Sequence, residues 1–353
     1  MAAGRLGVWL RRAFPWLLLL VGVALWIKHL RGADWVAMRR VIAGLPASAL
    51  LAAVGFTIAS YVVYASFDLL GRAVTGHHIG TRRVLAIGLV SHACSLNLGP
   101  AGAGFRLRLY LRHGVGAAVA AGVWLLNIAT NWLGLVLLAG AALLTGLMQW
   151  PAGWRLPGGS AEGLGGVLLA LAAAYLVACA RADGRSWVVR GRRLSLPPWP
   201  VAVAQCVLSV LNWSLLAWVV TVLLPRQVGW GAVLGALTMS AVALSIIDVP
   251  GGLGVLETVF VAMLGPQVGA AELLAALLAY RAIYFLAPLI LALAAYVVLE
   301  LDAGAYRDRR AASSKRPGRF SSRWRRARCL AWPPTGLALR PRRSSSESTR
   351  SPP

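Results

Sequence analysis

Acidic side chains are scarce in this sequence, with 11 Asp and Glu against 35 Lys and Arg in 353 residues. Charged residues of both signs make up 13% of the chain, against 59% hydrophobic residues and a mean hydropathy of +0.70. That balance excludes an ordinary soluble domain and leaves an integral membrane protein. Cysteine is also rare, and Cys94, Cys179, Cys206 and Cys329 form no C-x-x-C pair. Three of them sit in apolar segments, so no disulfide framework and no zinc site is expected. His77 and His78 are adjacent, while His92 and His113 stand alone, so the histidines make no metal set. H-E-x-x-H, P-loop and G-x-S-x-G motifs are missing, as is the paired acidic motif of a membrane glycosyltransferase. The expectation is no metal, no cofactor, no catalytic residue and no enzyme.

The net charge of +24 raises the question of nucleic acid. The arginines lie in short loops and in a basic tail, which is the pattern of positive-inside topology over anionic headgroups, and no nucleic-acid partner is expected. Six full spans are predicted: 14–27, 46–70, 117–144, 163–180, 199–224 and 271–299. The first follows Arg5, Arg11 and Arg12 and ends at Lys28-His29-Leu30-Arg31 without a small-x-small site, so it reads as uncleaved. Its apolar run is short, so Arg12 and Lys28 would snorkel. Arginine clusters at 5–12, 72–83, 106–112 and 181–193 and in the tail place both termini in the cytoplasm, while the basic loop 28–40 is the exception. Trp16, Trp26, Trp35, Trp150 and Trp154 read as interfacial anchors.

Two other apolar segments, 84–98 and 231–249, end in glycine-proline breaks rather than in polar loops. Arg82 and Arg83 before the first and Arg106 to Arg112 after it belong on one side, which a re-entrant hairpin turning in Asn97 to Gly104 satisfies. The second turns at Pro250-Gly251-Gly252-Leu253-Gly254, and its return arm 255–264 is about 15 Å long, half a bilayer. Irregular backbone at that depth is tolerated only where protein or a wet cavity covers it. Span, hairpin and span in 46–144 are matched by span, hairpin and span in 199–299, with the hairpins opening to opposite sides. The predicted fold is therefore all-α: a polytopic bundle of about six spans and two re-entrant helical hairpins in an inverted repeat, within a membrane domain 1–306.

Asp248 and Glu257 flank the second break, and Arg281 lies well inside the last span. Each charge at the bilayer centre costs about 2.5–3.5 kcal/mol on insertion scales, so Arg281 is expected to face Asp248 or Glu257, either to bind lipid or only to fix packing. Asn97 and Arg106 occupy comparable places about Pro100 and Gly102, and Asp68 is expected to meet a nearby arginine. Arg106 and Arg108 have the chemistry to hold a lipid phosphate; Arg108 and Arg112 equally suit plain anchoring. Residues 307–353, rich in Arg, Ser and Pro, are predicted to be disordered and to grip the inner leaflet.

"DVPGGLGVLE" at 248–257, "YRAIYFLAP" at 280–288 and "NLGPAGAGFRLRLYLRHG" at 97–114 resemble the flippase-like integral membrane family. That family includes the membrane part of bacterial lysylphosphatidylglycerol synthase/flippase and stand-alone YbhN-like proteins. The resemblance covers roughly 10–302 and implies movement of a charged or aminoacylated lipid between leaflets of the inner membrane. Matching positions are Asp248, Pro250, Gly251, Gly252, Gly254, Glu257 and Arg281, with Asn97, Pro100 and Arg106 as looser ones. Nothing here matches the synthase's aminoacyl-transferase domain, so lipid transport without bond chemistry is expected. Anionic or aminoacylated phospholipids and a separate synthase or transferase are the expected partners, and an oligomer is compatible. A membrane enzyme or scaffold acting on lipid-linked or polyprenyl-linked substrates is the alternative.

Overall fold

The computed structural model describes residues 36, 43–148, 158–182, 186–189, 192–225, 227–247, 252 and 254–314. The predicted first span, the loop 28–40 apart from Val36, the five tryptophan anchors named above, and Asp248, Pro250 and Gly251 lie outside them. The architecture below concerns the unit Met1–Asp308.

Ten α-helices are described in chain order: α1 (Ala47–Thr75), α2 (Thr81–Leu98), α3 (Pro100–Arg112), α4 (Ala117–Leu144), α5 (Ser160–Ala182), α6 (Trp199–Thr221), α7 (Trp230–Ile247), α8 (Val255–Val268), α9 (Ala270–Tyr280) and α10 (Ala287–Ser314). A π-helical turn, Arg281–Leu286, joins α9 to α10, so that 270–301 is one long apolar helix. Among the described residues five helices are long and apolar enough to cross a membrane: α1, α4, α5, α6 and this composite. They coincide with five of the six predicted spans.

The fold is all-helical as predicted, with a short β-ribbon in one loop and a last helix longer than expected. Strands β1 (Ser186–Val189) and β2 (Arg192–Ser195) pair antiparallel, Trp187 opposite Leu194, inside the basic loop before α6. In sequence, Val188-Val189 is a short β-former run followed by a glycine, a signal that the dense arginines mask. Helix α10 also runs to Ser314, past Arg307 where disorder is expected, because alanine and arginine in 305–312 are strong helix formers and no proline intervenes.

Helices α1, α4 and α6 pack on one another and form the centre of the bundle. Helix α5 covers α4 and α6 from outside, the α2–α3 pair lies against α1 and α4, and the α7–α8 pair lies against α6 and α4. Lipid tails are as apolar as leucine, so close approach and polar contacts hold such helices together. A Cβ on Gly134 would stand 2.5 Å from the Ser209 carbonyl carbon, so only glycine lets α4 and α6 meet there. Nearby, Gln205 donates to Thr130 Oγ1 and accepts from the Tyr175 hydroxyl, both at 2.7 Å, joining α4, α5 and α6. Exposed Leu51, Ile58, Leu171, Val207, Ile290 and Leu291 form the apolar exterior.

Candidate functional site

The first break is a single residue. Gly99, at φ +57°, separates α2 from α3, and Pro100 opens α3 in the first-turn position that its fixed φ and missing N–H suit. The predicted turn through Gly104 is thus corrected: Gly102 is already helical. A Cβ on Gly102 would collide with the backbone of Ser95 and Cys94, so its role is to let α3 fold back on α2.

Two turns into α3, Arg106 is buried at 3% exposure. Its Nη2 lies 3.4 Å from Oδ2 of the fully buried Asp68 on α1, which is the arginine contact expected of Asp68. Tyr110, one turn later, donates to Asp68 Oδ1 at 2.9 Å. A Cβ on Gly88 would stand 2.9 Å from Asp68 Oδ2, so a glycine on α2 admits the carboxylate. His92 stacks on Tyr64 at 3.5 Å between ring centroids and lies beside this cluster.

At the second break Gly252 and Gly254 have φ of +63° and +81°, conformations that favour glycine. Glu257, in the first turn of α8, reaches back so that Oε2 accepts the Gly254 N–H at 2.9 Å. Arg281 Nε donates to Glu257 Oε1 at 2.5 Å, and Nη2 donates to Oε2 at 3.0 Å and to the Gly252 carbonyl at 2.9 Å. The guanidinium thereby grips both the carboxylate, in a two-pronged pair, and the tip of the break. Of the two carboxylates offered to Arg281 by the sequence, Glu257 is joined to it, and Asp248 lies outside the described residues. The Arg281 guanidinium also lies 5.5 Å from the Phe285 ring centroid.

The π turn that begins at Arg281 links the two breaks. A π turn interrupts the i to i+4 ladder and leaves carbonyls to be satisfied from outside. Tyr61 on α1 donates to the Tyr284 carbonyl at 2.9 Å. Asn97, at the tip of the first break, donates to the Phe285 carbonyl at 3.3 Å and to Ala93 at 2.8 Å. Ser60 lies 2.9 Å from both the Tyr284 hydroxyl and Asn212 Oδ1 on α6. Asn97, Arg281 and Glu257 are therefore brought into one connected region, whereas Arg106 belongs to the Asp68 cluster.

Residues 16–292 match the family described as the lysylphosphatidylglycerol synthase TM region. The chain belongs to this family. It is 36% identical over 306 residues to inner membrane protein YbhN of Escherichia coli, covering 86% of this chain and 96% of that protein. It is 30% identical over 251 residues to the Synechocystis protein slr0712, covering 70% of this chain and 78% of that one. With five membrane-length apolar helices among its described residues, this member of the family is a multi-pass membrane protein.

Sequence reasoning about the family's motifs does not reach Tyr61, Ser60 or Asn212, and it passes over Tyr284 within the 280–288 motif. Their only signal is a polar residue on the inward face of an apolar helix, and such residues become visible as a group only when α1, α6 and the π turn meet.

Proposed function

We propose that this chain is a lipid flippase or lipid-binding transporter whose pathway runs between two re-entrant hairpins, α2–α3 and α7–α8. The observation that carries this reading is that each return arm bears a charge paired with a long helix, buried Arg106 with Asp68 and half-buried Glu257 with Arg281. Four ionisable groups at membrane depth are expensive unless they serve a polar passenger. Their arrangement suits exchange. The phosphate of a headgroup replaces Glu257 on Arg281 while the amine takes Glu257, with Asp68 and Arg106 offering the same pair of charges again, so that every buried charge keeps a partner throughout.

The order of long helix, broken pair, long helix in each half supports an inverted repeat, with access to opposite leaflets as each hairpin seals in turn. The relative named as an inner membrane protein supports that location, and the arginine-rich loops support cytoplasmic termini. The passenger class is an anionic or aminoacylated phospholipid, moved without bond chemistry, and a separately encoded synthase or transferase is the matching partner.

The test is translocation of fluorescent lipid in proteoliposomes by an Asp248→Asn, Glu257→Gln double variant. A rate at least about tenfold below wild type is expected from losing charge-assisted contacts; the wild-type rate would overturn the proposal.

A further inference from the structure

Among the described residues, Asp68 is the one acidic side chain that is fully buried. Two groups hold it. Tyr110 donates to Oδ1 at 2.9 Å, while Arg106 Nη2 stands 3.4 Å from Oδ2, longer than the roughly 2.7–2.9 Å usual for a charge-assisted bond. Oδ2 accepts no hydrogen bond among the described residues, and Arg106 Nε donates none. The pair is matched in charge but loose in geometry, so Arg106 can leave without breaking a close bond. Asp68 stays behind, seated against Gly88 of α2.

Arg106 is the one cation among the described residues close enough to act on Asp68. Helices α4 and α6, which also pack on α1, carry no acidic, basic or histidine side chain. Arg72, one turn on, donates instead to the Ile79 carbonyl and the Thr81 hydroxyl. The π turn meets α1 two turns away, at Ser60 and Tyr61. The remaining titratable groups about the pair are Tyr64, beside Arg106, His92, stacked on Tyr64, and His77, edge-on to the Tyr110 ring.

On the lipid-transport reading, Arg106 leaves Asp68 for a headgroup phosphate. An aminoacylated headgroup brings an amine that takes Asp68 in exchange. A purely anionic one brings nothing, and strands a carboxylate in a buried site, where a charge without a partner is neutralised rather than kept. Glu257 does not face that choice, because its side chain is 17% exposed and keeps the Gly254 N–H.

We propose that Asp68 is a proton-binding site: when Arg106 turns to the phosphate of an anionic headgroup, Oδ2 takes one proton from solution and returns it when the phosphate leaves. The charges balance throughout. Empty, the site holds one guanidinium and one carboxylate; loaded, it holds one guanidinium, one phosphate and a neutral carboxylic acid. An anionic lipid therefore crosses with a proton as a neutral pair, whereas an amine-bearing lipid needs none. The coupling rests on the lipid-transport reading for the phosphate that Arg106 meets.

The test is proton uptake on lipid binding, read by titration calorimetry of the full chain in micelles, in two buffers of different ionisation enthalpy. Near neutral pH the wild type is expected to take up about one proton per phosphatidylglycerol, so that its affinity falls by up to about tenfold for each unit of rising pH. With phosphatidylethanolamine, which carries an amine beside the same phosphate, it is expected to take up almost none. Asp68→Asn is expected to bind phosphatidylglycerol without proton uptake and with a flat pH dependence. Phosphatidylglycerol bound by the wild type without proton uptake overturns the proposal and leaves the lipid-transport reading standing, whereas failure of the folded chain to bind it overturns both. Uptake that survives Asp68→Asn and disappears in His92→Gln assigns the proton elsewhere and overturns the proposal too. Should Asp68→Asn fail to fold, the contrast between the two lipids on the wild type decides, and equal uptake with both overturns the proposal.

Discussion

Arg281 shows how one side chain at membrane depth is made tolerable. Its guanidinium is shared between the Glu257 carboxylate and the Gly252 carbonyl, so a break in the chain and a charge, each costly alone, satisfy one another. Removing one partner strands the other. Arg281→Met is expected to lower stability by about 3–5 kcal/mol, and the double variant Arg281→Met, Glu257→Met to recover much of that loss, because two apolar residues leave no unpaired charge. Chemical denaturation in micelles measures both; a double variant no more stable than the single one would show that the pair is not the cause. The sequence narrowed the partner of Arg281 to Asp248 or Glu257 by cost alone. That Glu257 is a partner took the geometry of the first turn of α8, where its bond to the Gly254 N–H fixes it.

Among the elements, the π turn has the widest connections. It sits in a span that reads in sequence as an uninterrupted apolar helix, and its extra residue per turn is absorbed by Tyr61 and Asn97 from the other half of the chain. Tyr61→Phe removes one hydrogen bond with little change of shape, at a cost of about 1 kcal/mol. Amide hydrogen exchange of 281–287 is expected to quicken in this variant while that of α4 stays unchanged. Unchanged exchange in the turn would mean that its carbonyls do not depend on Tyr61. Periodicity cannot announce such a turn, since one inserted residue in a uniformly apolar helix leaves the hydrophobic pattern intact. The glycine-proline breaks, by contrast, were legible because they interrupt apolar runs that have no polar loop to end in.

At the scale of the molecule, the described helices expose large apolar side chains and bury a set of polar ones. Ile290 and Leu291 are 67% and 71% exposed, whereas Asp68, Asn97, Arg106, Asn127, Gln205 and Asn212 are buried. This inside-out distribution is stable only in hydrocarbon. Ile290→Arg, placed on the lipid face of the last span, is expected to cost about 2.5–3.5 kcal/mol of insertion free energy. Membrane-fraction yield and carbonate extraction would register the loss, and unchanged integration would remove Ile290 from the lipid face.

What the sequence determined by itself is the class of solvent and the places where the chain breaks. Composition and apolar run length depend on burial in a bilayer, which acts on every residue in much the same way, and glycine and proline act on their own backbone. Tertiary structure decided the partners: Asp68 with Arg106, Glu257 with Arg281, Glu300 with Arg108 and Arg112, and Tyr61 with the π turn. A charge in an apolar helix shows that a partner must exist, but its identity depends on which helix faces arrive within about 3 Å of one another, a distance set by hydrogen-bond geometry. Small residues such as Gly88 and Gly134 set those approaches, and their part is visible only from the far side of the contact.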